Sequence, residues 1–321
     1  MARVLVVNDD GIDAPGLHAI VGALARDGAA VYVAAPSSER SATGHGITIH
    51  APLVAVPVAL PNAIQSFAIS GLPADCTMLA LGPLFAHLPP FDLVVSGINR
   101  GNNYGLHVIY SGTVAAAREA ACSGVPAVAL SLNAYTADAD YTHAAAASMP
   151  ILRRMISRSK AGDSALVGVV VNVNVPGACP LDAMRGYVFA RQSYECTLPS
   201  FVEVAVPAQP LHRSAIGGAR AWLNGSTYVA RLDREAGNDA TAVAENFVAV
   251  SLVRLLSDTF GGNAAAPLAP PPGLDLAALS DAAADYVLDV AAAAAKAAAG
   301  ATPVATKLVP PLAAPAESSA L

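Results

Sequence analysis

The first half of the chain alternates short apolar segments with segments of helical character. Residues 3–7, 29–35 and 92–96 are apolar runs of strand length, whereas residues 14–26 and 113–123 are typical of helices. Apolar strands separated by helices are typical of a mostly parallel sheet that is covered on both faces. We therefore predict an α/β fold, in which ligands bind beyond the carboxyl ends of the strands.

The pattern changes in the second half of the chain. Residues 176–255 contain polar, strand-like segments separated by turns, which predict hairpins or an accessory β-rich region. Residues 261–321 are rich in proline and alanine and are predicted to be partly helical or disordered. We expect one domain over residues 1–260, followed by this extension. Within that domain, we expect residues 46–58 to be extended and residues 73–84 to be helical.

The composition excludes several classes of function. The net charge is −6, and the 18 lysines and arginines form no basic cluster, which disfavours binding to extended nucleic acid. The apolar runs have the length of strands, so we expect no membrane association and no signal peptide. Four cysteines lie far apart without a C-x-x-C pair, which indicates reduced thiols rather than a zinc ribbon or a disulfide framework. A small anionic ligand remains compatible with this charge.

Two adjacent carboxylates, Asp9 and Asp10, follow the first predicted strand in the sequence Asn-Asp-Asp-Gly. Neighbouring carboxylates disfavour each other's ionised form unless a cation neutralises them. Such oxygen ligands suit Mg²⁺, Mn²⁺ or Ca²⁺ better than Zn²⁺. Gly11 permits the turn that aims both side chains at one point. The alternative is an ordinary Asp-Gly turn in which Asp10 caps the next helix.

A polar loop at residues 36–44 follows the second predicted strand. The hydroxyl group of Ser41 or Thr43 could ligate a metal ion or contact a phosphate, although the segment is also typical of a surface loop. His45 follows directly and is a candidate acid or substrate contact; the alternative is a loop histidine without a role. Glu39 and Arg40 could pair with each other.

A third polar loop, residues 96–105, follows the strand predicted at residues 92–96. It combines glycines with side-chain amides, which favours an anion or a metal-bound substrate. Arg100 in this loop could steady a phosphate or face the solvent. The loop leads to residues 111–113 at a helix start, where backbone N–H groups bind phosphate but hydroxyl groups equally well cap the helix.

The three loops together supply two carboxylates, hydroxyl groups, an amide and a helix N-terminus at one edge of the predicted sheet. This combination suits metal-assisted phosphoryl hydrolysis, because the ion neutralises phosphate charge while backbone donors hold the transferring oxygens. The residues therefore predict hydrolysis of a phosphate ester with one divalent metal ion. Mg²⁺ or Mn²⁺ is favoured, and Ca²⁺ is an alternative.

At these loops the chain resembles the SurE family of 5′/3′-nucleotidases. The resemblance covers roughly residues 1–255, and it is the combination of segments that is specific. The segments are VLVVNDDGIDAPGL (4–17), APSSERSATGHGITIH (35–50), ISGLPADCTMLAL (69–81), DLVVSGINRGNNYG (92–105), YSGTVAAAREA (110–120) and VNVNVP (171–176), with weaker similarity at FARQSYE (189–195) and NDATAVAENFVAVS (238–251).

The resemblance implies roles for individual residues. Asp9 and Asp10 would be the catalytic carboxylates. The implied metal ligands are Asp9, Asp10, Ser41 and Asn99. The implied phosphate contacts are Asn8, Ser111, Gly112 and Thr113, to which the loop analysis adds Thr43 and His45 as candidate substrate contacts.

The resemblance also implies a fold and an activity. It implies a Rossmann-like three-layer core with a smaller β-hairpin region, a homodimer or homotetramer, and a cytoplasmic location. The implied reaction is hydrolysis of nucleoside 5′- and 3′-monophosphates, and of some short polyphosphate, by metal-activated water. The chain departs from the family at His107, where an acidic residue is usual, and at residues 246–249, where Gly-Tyr-Val-Ser is usual. Neither position is an implied ligand.

Three other functions share some of these features. A signalling receiver domain also binds Mg²⁺ through an acidic pair, but it needs an aspartate and a lysine at strand ends where this chain has Ser96-Gly97 and Ser131-Leu132. A haloacid-dehalogenase-type phosphatase with an aspartyl nucleophile usually has Asp-x-Asp rather than Asp-Asp. A nucleotide-binding protein without turnover remains a further alternative.

Overall fold

A computed structural model describes residues 1–136, 139–163, 166–177, 183–205, 220–231 and 235–255. The extension predicted at residues 261–321 lies outside the described residues. Within them, no helix has both the length and the apolar character needed to cross a membrane.

A mostly parallel sheet forms the centre of the molecule. The described strands are β1 (Arg3–Val7), β2 (Ala30–Pro36), β3 (Ala55–Pro57), β4 (Gln65–Ile69), β5 (Leu93–Arg100), β6 (Ala127–Asn133), β7 (Val169–Pro176), β8 (Tyr187–Phe189), β9 (Cys196–Val204), β10 (Ala221–Arg231) and β11 (Val248–Arg254). Nine of them form one sheet in the order β3-β4-β2-β1-β5-β6-β7-β11-β8. The strands from β4 to β7 run parallel, whereas β3 and β11 pair antiparallel with β4 and β7.

Helices cover both faces of this sheet. They are α1 (Pro15–Arg26), α2 (Pro73–Leu79), α3 (Gly112–Cys122), α4 (Tyr141–Lys160) and α5 (Asp239–Ala244). On β1, Val4 and Val6 pack into a core with α1 and α4, whereas Leu5 and Val7 pack into a second core with α2 and α3. Because side chains alternate along a strand, a fully buried strand such as β1 must be covered on both sides. The predicted three-layer α/β fold is confirmed.

The β-rich region predicted at residues 176–255 is smaller than expected, because its described strands β8 and β11 join the main sheet beside β7. Its other two described strands form a hairpin. β9 and β10 pair antiparallel in a separate two-stranded sheet, with Val202 opposite Leu223. Both strands of this sheet carry exposed apolar side chains, including Phe201, which is 65% exposed, and Leu223, which is 63% exposed.

Two predicted elements differ from the structure. Residues 46–58 form a strand only at Ala55–Pro57, and the preceding segment is instead fastened to α2 by Thr48, whose N–H and hydroxyl both donate to Asp75. The α-helix predicted at residues 73–84 is shorter than expected and ends at Leu79. The next five residues form a π-helical turn, in which Gly82 has non-helical angles and Pro83 follows it.

The topology brings the three polar loops together. β1 lies between β2 and β5 and runs parallel to both, so the carboxyl ends of the three strands meet at one edge of the sheet. The residues after these ends carry the predicted site.

Candidate active site

The acidic pair lies in a tight turn that the side chain of Asn8 closes. Asn8 is fully buried; its Nδ2 donates to the carbonyl oxygen of Gly11 at 2.8 Å, and its Oδ1 accepts from the Gly11 N–H at 3.2 Å. Gly11 has a φ of +100°, a conformation that favours glycine. The residue that caps α1 is Ala14, without a side-chain hydrogen bond, so the turn is not a helix cap formed by Asp10. Asn8 therefore shapes the turn that presents both carboxylates.

Asp9 is buried against the start of α3. It is 3% exposed, and it accepts hydrogen bonds from the hydroxyl and the backbone N–H of Thr113. A Cβ at Gly112 would lie 2.9 Å from the Cβ of Asp9, so only glycine lets the helix approach this closely. Burial and the charge of Asp10 raise the pKa of Asp9 from 3.8 to about 7, although the Thr113 hydrogen bonds act in the opposite direction. A carboxylate held in this way favours a nearby positive charge.

Asp10 is held by the end of β5. Its Oδ2 accepts from the backbone N–H of Arg100 at 3.0 Å. Burial raises the pKa of Asp10, whereas the Arg100 N–H and guanidinium charge lower it and the charge of Glu39 raises it. Both carboxylates of the pair are thus disfavoured as anions in the absence of a cation.

Asn99 reaches the same edge through an irregularity in β5. The pairing of β5 with β6 shifts between Ser96 and Asn99. Gly97 in this bulge has a φ of +138°, and a Cβ there would lie 2.3 Å from the carbonyl oxygen of Leu130. The Asn99 Nδ2 donates to the carbonyl oxygens of Gly101, at 2.9 Å, and of Arg100, at 3.3 Å. Its amide oxygen is therefore the atom suited to bind a cation.

Ser41 lies in the loop after β2, and the backbone of this loop is hydrogen-bonded to the acidic turn. The N–H of Arg40 donates to the carbonyl oxygen of Asp9 at 2.7 Å. The Ser41 hydroxyl donates to Oε1 of Glu39 at 2.8 Å, and Arg100 donates to the same oxygen at 3.1 Å. The predicted pairing of Glu39 with Arg40 is wrong, because the folded chain brings Arg100 of β5 to Glu39 instead.

The other predicted substrate contacts already have protein partners. The Thr43 hydroxyl donates to the carbonyl oxygen of Arg40 at 2.9 Å, and His45 Nε2 lies 2.7 Å from Oε1 of Glu119 on α3. The Ser111 hydroxyl accepts from the N–H of Val114 at 3.0 Å and so caps α3. Contact of these side chains with a substrate stays a prediction.

The donor set suits a hard cation. Within the described part of the chain, no group of three or more histidine, cysteine, aspartate or glutamate side chains could hold a metal ion. A cation site at this edge would therefore combine the carboxylates of Asp9 and Asp10 with the predicted neutral ligands Ser41 and Asn99. Hard divalent cations accept such mixed oxygen ligands.

His107 has a structural role that sequence reasoning missed. Its Nε2 accepts from the N–H of Thr197 on β9 at 3.0 Å, so the proton lies on Nδ1, which donates to Oδ1 of Asn102 at 2.6 Å. Burial lowers the pKa of His107, although the charge of Glu195 opposes this. The neutral imidazole connects the loop after β5 to the hairpin. The only sequence signal was that a histidine stands where an acidic residue is usual.

A comparison with known families identifies the family of this chain. The family model described as Survival protein SurE matches residues 4–197. The chain belongs to the SurE family. The SurE match runs from β1 into β9 and includes all of the proposed metal ligands.

Relatives within the SurE family match most of the chain. The 5′-nucleotidase SurE of Heliobacterium modesticaldum is 36% identical over 271 residues, which are 81% of this chain and 92% of that protein. The 5′-nucleotidase SurE of Carboxydothermus hydrogenoformans is 41% identical over 192 residues, which are 59% of this chain and 70% of the relative. The crystal structure of the SurE protein from Aquifex aeolicus superposes with a TM-score of 0.63 at 27% identity, covering 80% of this chain and 95% of that one.

Proposed function

We propose that this chain is a 5′-nucleotidase that hydrolyses nucleoside 5′-monophosphates to nucleoside and phosphate with a divalent metal ion. Relatives that share about a third of its residues over most of its length are named 5′-nucleotidase SurE. The observation that carries the proposal is the adjacent pair Asp9 and Asp10 at the carboxyl edge of the sheet, of which Asp9 is buried against the N-terminus of α3.

Four side chains would hold the metal ion: Asp9, Asp10, Ser41 and Asn99. Mg²⁺ or Mn²⁺ is the proposed ion, with Ca²⁺ as an alternative, because all four ligands are oxygen atoms. When bound, a divalent ion neutralises charge on phosphate oxygens and lowers the pKa of water. Burial disfavours the ionised form of both carboxylates, and a bound cation would offset this by neutralising their charge.

The surrounding residues orient the pair rather than react. Thr113 fixes one oxygen of Asp9, and the Arg100 N–H fixes one oxygen of Asp10. The 11-residue helix α3 begins against Asp9, so the positive end of its dipole faces the same edge. The phosphate subsite is proposed at residues 111–113 of this helix start. Because the N–H of Thr113 donates to Asp9 and that of Ser111 donates to the carbonyl oxygen of His107, the N–H of Gly112 is the proposed backbone donor to phosphate. Nucleoside 3′-monophosphates and short polyphosphate are proposed further substrates because they present the same phosphoryl group.

A substrate panel tests this function. Phosphate release would be measured from nucleoside 5′- and 3′-monophosphates, short polyphosphate and p-nitrophenyl phosphate, each with Mg²⁺, Mn²⁺, Ca²⁺ or EDTA. We expect turnover of the 5′-monophosphates that EDTA abolishes and added metal restores. Turnover undiminished in EDTA would contradict metal dependence. A trapped aspartyl-phosphate would support the haloacid-dehalogenase-type alternative, and nucleotide binding without phosphate release would support a non-catalytic protein.

A further inference from the structure

One carboxylate oxygen connects the loop after β2 with the end of β5. Oε1 of Glu39 accepts from the hydroxyl of Ser41 at 2.8 Å and from Nη2 of Arg100 at 3.1 Å. Both partners adjoin the proposed metal site. Ser41 is a proposed ligand, and Arg100 follows the ligand Asn99 and donates its backbone N–H to Asp10. Glu39 itself is not a proposed ligand.

The backbone around Ser41 is already fixed by other contacts. The N–H of Ser37 donates to the carbonyl oxygen of Ile69 at 2.8 Å, and the N–H of Arg40 donates to the carbonyl oxygen of Asp9 at 2.7 Å. What remains free is the rotation of the exposed Ser41 side chain, because a hydroxyl group turns to suit its partners. The hydrogen bond to Glu39 selects one orientation and leaves the lone pairs of the Ser41 oxygen available.

We propose that Glu39 is a positioning residue for the metal ion. Held by Arg100, its carboxylate orients the Ser41 hydroxyl so that the oxygen can ligate the cation. The proposal rests on the proposed metal site. Hydrogen-bonded partners of metal ligands fix the orientation of those ligands, and their removal weakens metal binding by about 10- to 100-fold.

A simple charge effect would also strengthen metal binding, and one substitution separates the two explanations. Glu39 adds negative charge near Asp10, which would attract a cation without positioning any ligand. Because both hydrogen bonds end on the same oxygen, a glutamine side chain can accept both while carrying no charge. Glu39→Gln therefore keeps the positioning and removes the charge, whereas Glu39→Ala removes both.

The experiment is a calorimetric titration of Mn²⁺ alone into the metal-free full chain at about pH 8, where Asp9 gives up its proton readily. We expect Glu39→Ala to weaken Mn²⁺ binding about tenfold and Glu39→Gln to stay within about threefold of the wild type. In a Ser41→Ala background, Glu39→Ala should change the affinity by no more than the roughly threefold allowed for Glu39→Gln, because its positioning effect passes through Ser41. At saturating Mn²⁺, phosphate release by Glu39→Ala should recover.

A matched control is Glu245→Ala. Glu245 is a half-exposed glutamate that pairs with Arg185 at 3.7 Å, at the end of α5, so its loss should leave Mn²⁺ affinity unchanged.

Equal losses in Glu39→Ala and Glu39→Gln, or an effect of Glu39→Ala that persists in Ser41→Ala, would overturn the proposal in favour of charge alone. No loss in Glu39→Ala would also overturn it. If the wild type bound no Mn²⁺, or if Asp10→Asn bound it equally well, the metal site itself would fail.

Discussion

At the scale of single residues, the protonation of Asp9 is set by a competition between burial and hydrogen bonding. Burial and the charge of Asp10 favour the neutral carboxyl, and the two hydrogen bonds from Thr113 favour the anion. The balance raises the pKa to about 7, so a metal ion that binds near neutral pH displaces a proton from Asp9.

This shift predicts how the stability of the metal-free protein depends on pH. The pKa of Asp9 is about 7 in the folded chain and near 3.8 when unfolded, so between these values the folded state binds more protons. The stabilisation from the proton on Asp9 is fully present below about pH 4 and is lost as the pH rises through about 7, a change of about 4 kcal/mol. Urea unfolding in EDTA across this range measures it.

The matched variant is Asp9→Asn, which has no proton to lose. Its free energy of unfolding should lack this fall with rising pH, and the difference between the two pH profiles isolates Asp9 from other groups. Parallel profiles for the wild type and Asp9→Asn would show that Asp9 ionises as an ordinary surface carboxyl does.

At the scale of elements, the close contact between α3 and the acidic turn depends on Gly112. A Cβ at this position would lie 2.9 Å from the Cβ of Asp9 and 3.0 Å from its Oδ2. Gly112→Ala should therefore displace the helix start or Asp9, and it should reduce metal-dependent phosphate release at least about tenfold, since small misplacements in a site are costly. Circular dichroism should show a retained fold.

The control for this variant is Gly22→Ala in α1. There the added Cβ would lie 3.3 Å from Nη1 of Arg26, which is the far end of a flexible side chain, and 3.8 Å from Nδ2 of Asn62, which is an ordinary van der Waals contact. Alanine favours a helix interior by about 1 kcal/mol over glycine, so Gly22→Ala should retain activity and unfold at the same or a higher temperature. Wild-type activity in Gly112→Ala would contradict the close contact.

The elements that could be predicted from the sequence are those with a strong local pattern. The buried strand β1 and its helices follow from apolar runs and helical periodicity, and parallel pairing then brings the loops after β1, β2 and β5 to one edge. The bulge at Gly97 could not be predicted, because it depends on pairing with β6 across the sheet. The partners of Glu39 and Asp9 could not be predicted either, because Arg100 and Thr113 are distant in sequence and no local pattern specifies such pairs.

At the scale of the whole molecule, the β9–β10 hairpin exposes apolar side chains. Val202 and Leu223 are cross-strand neighbours and are 55% and 63% exposed. Exposed apolar patches of this kind mark interaction sites. We propose that the hairpin joins copies of this chain into a homodimer or homotetramer.

Light scattering after size exclusion tests this assembly. The wild type should have the mass of a dimer or a tetramer, and a variant with both Val202→Asp and Leu223→Asp should have a lower mass, because the charges would be buried at the contact. Val54→Asp is the matched control, since Val54 is also 55% exposed but lies outside the hairpin. A monomeric wild type, or an unchanged mass in the double variant, would contradict a contact through the hairpin.

The most direct measurement is phosphate release from AMP by the wild type, Asp9→Asn and Asp10→Asn, each first treated with EDTA and then supplied with Mg²⁺ or Mn²⁺. Asp13→Asn is the control, because Asp13 is an exposed carboxylate beside the same turn. We expect the wild type and Asp13→Asn to regain activity with metal. Asp9→Asn and Asp10→Asn should stay folded but remain at least about 1000-fold slower, since a metal ion in an active site contributes several kcal/mol to the stabilisation of the transition state. Full metal-stimulated turnover in Asp9→Asn and Asp10→Asn would contradict the assignment of this acidic pair as the catalytic metal site.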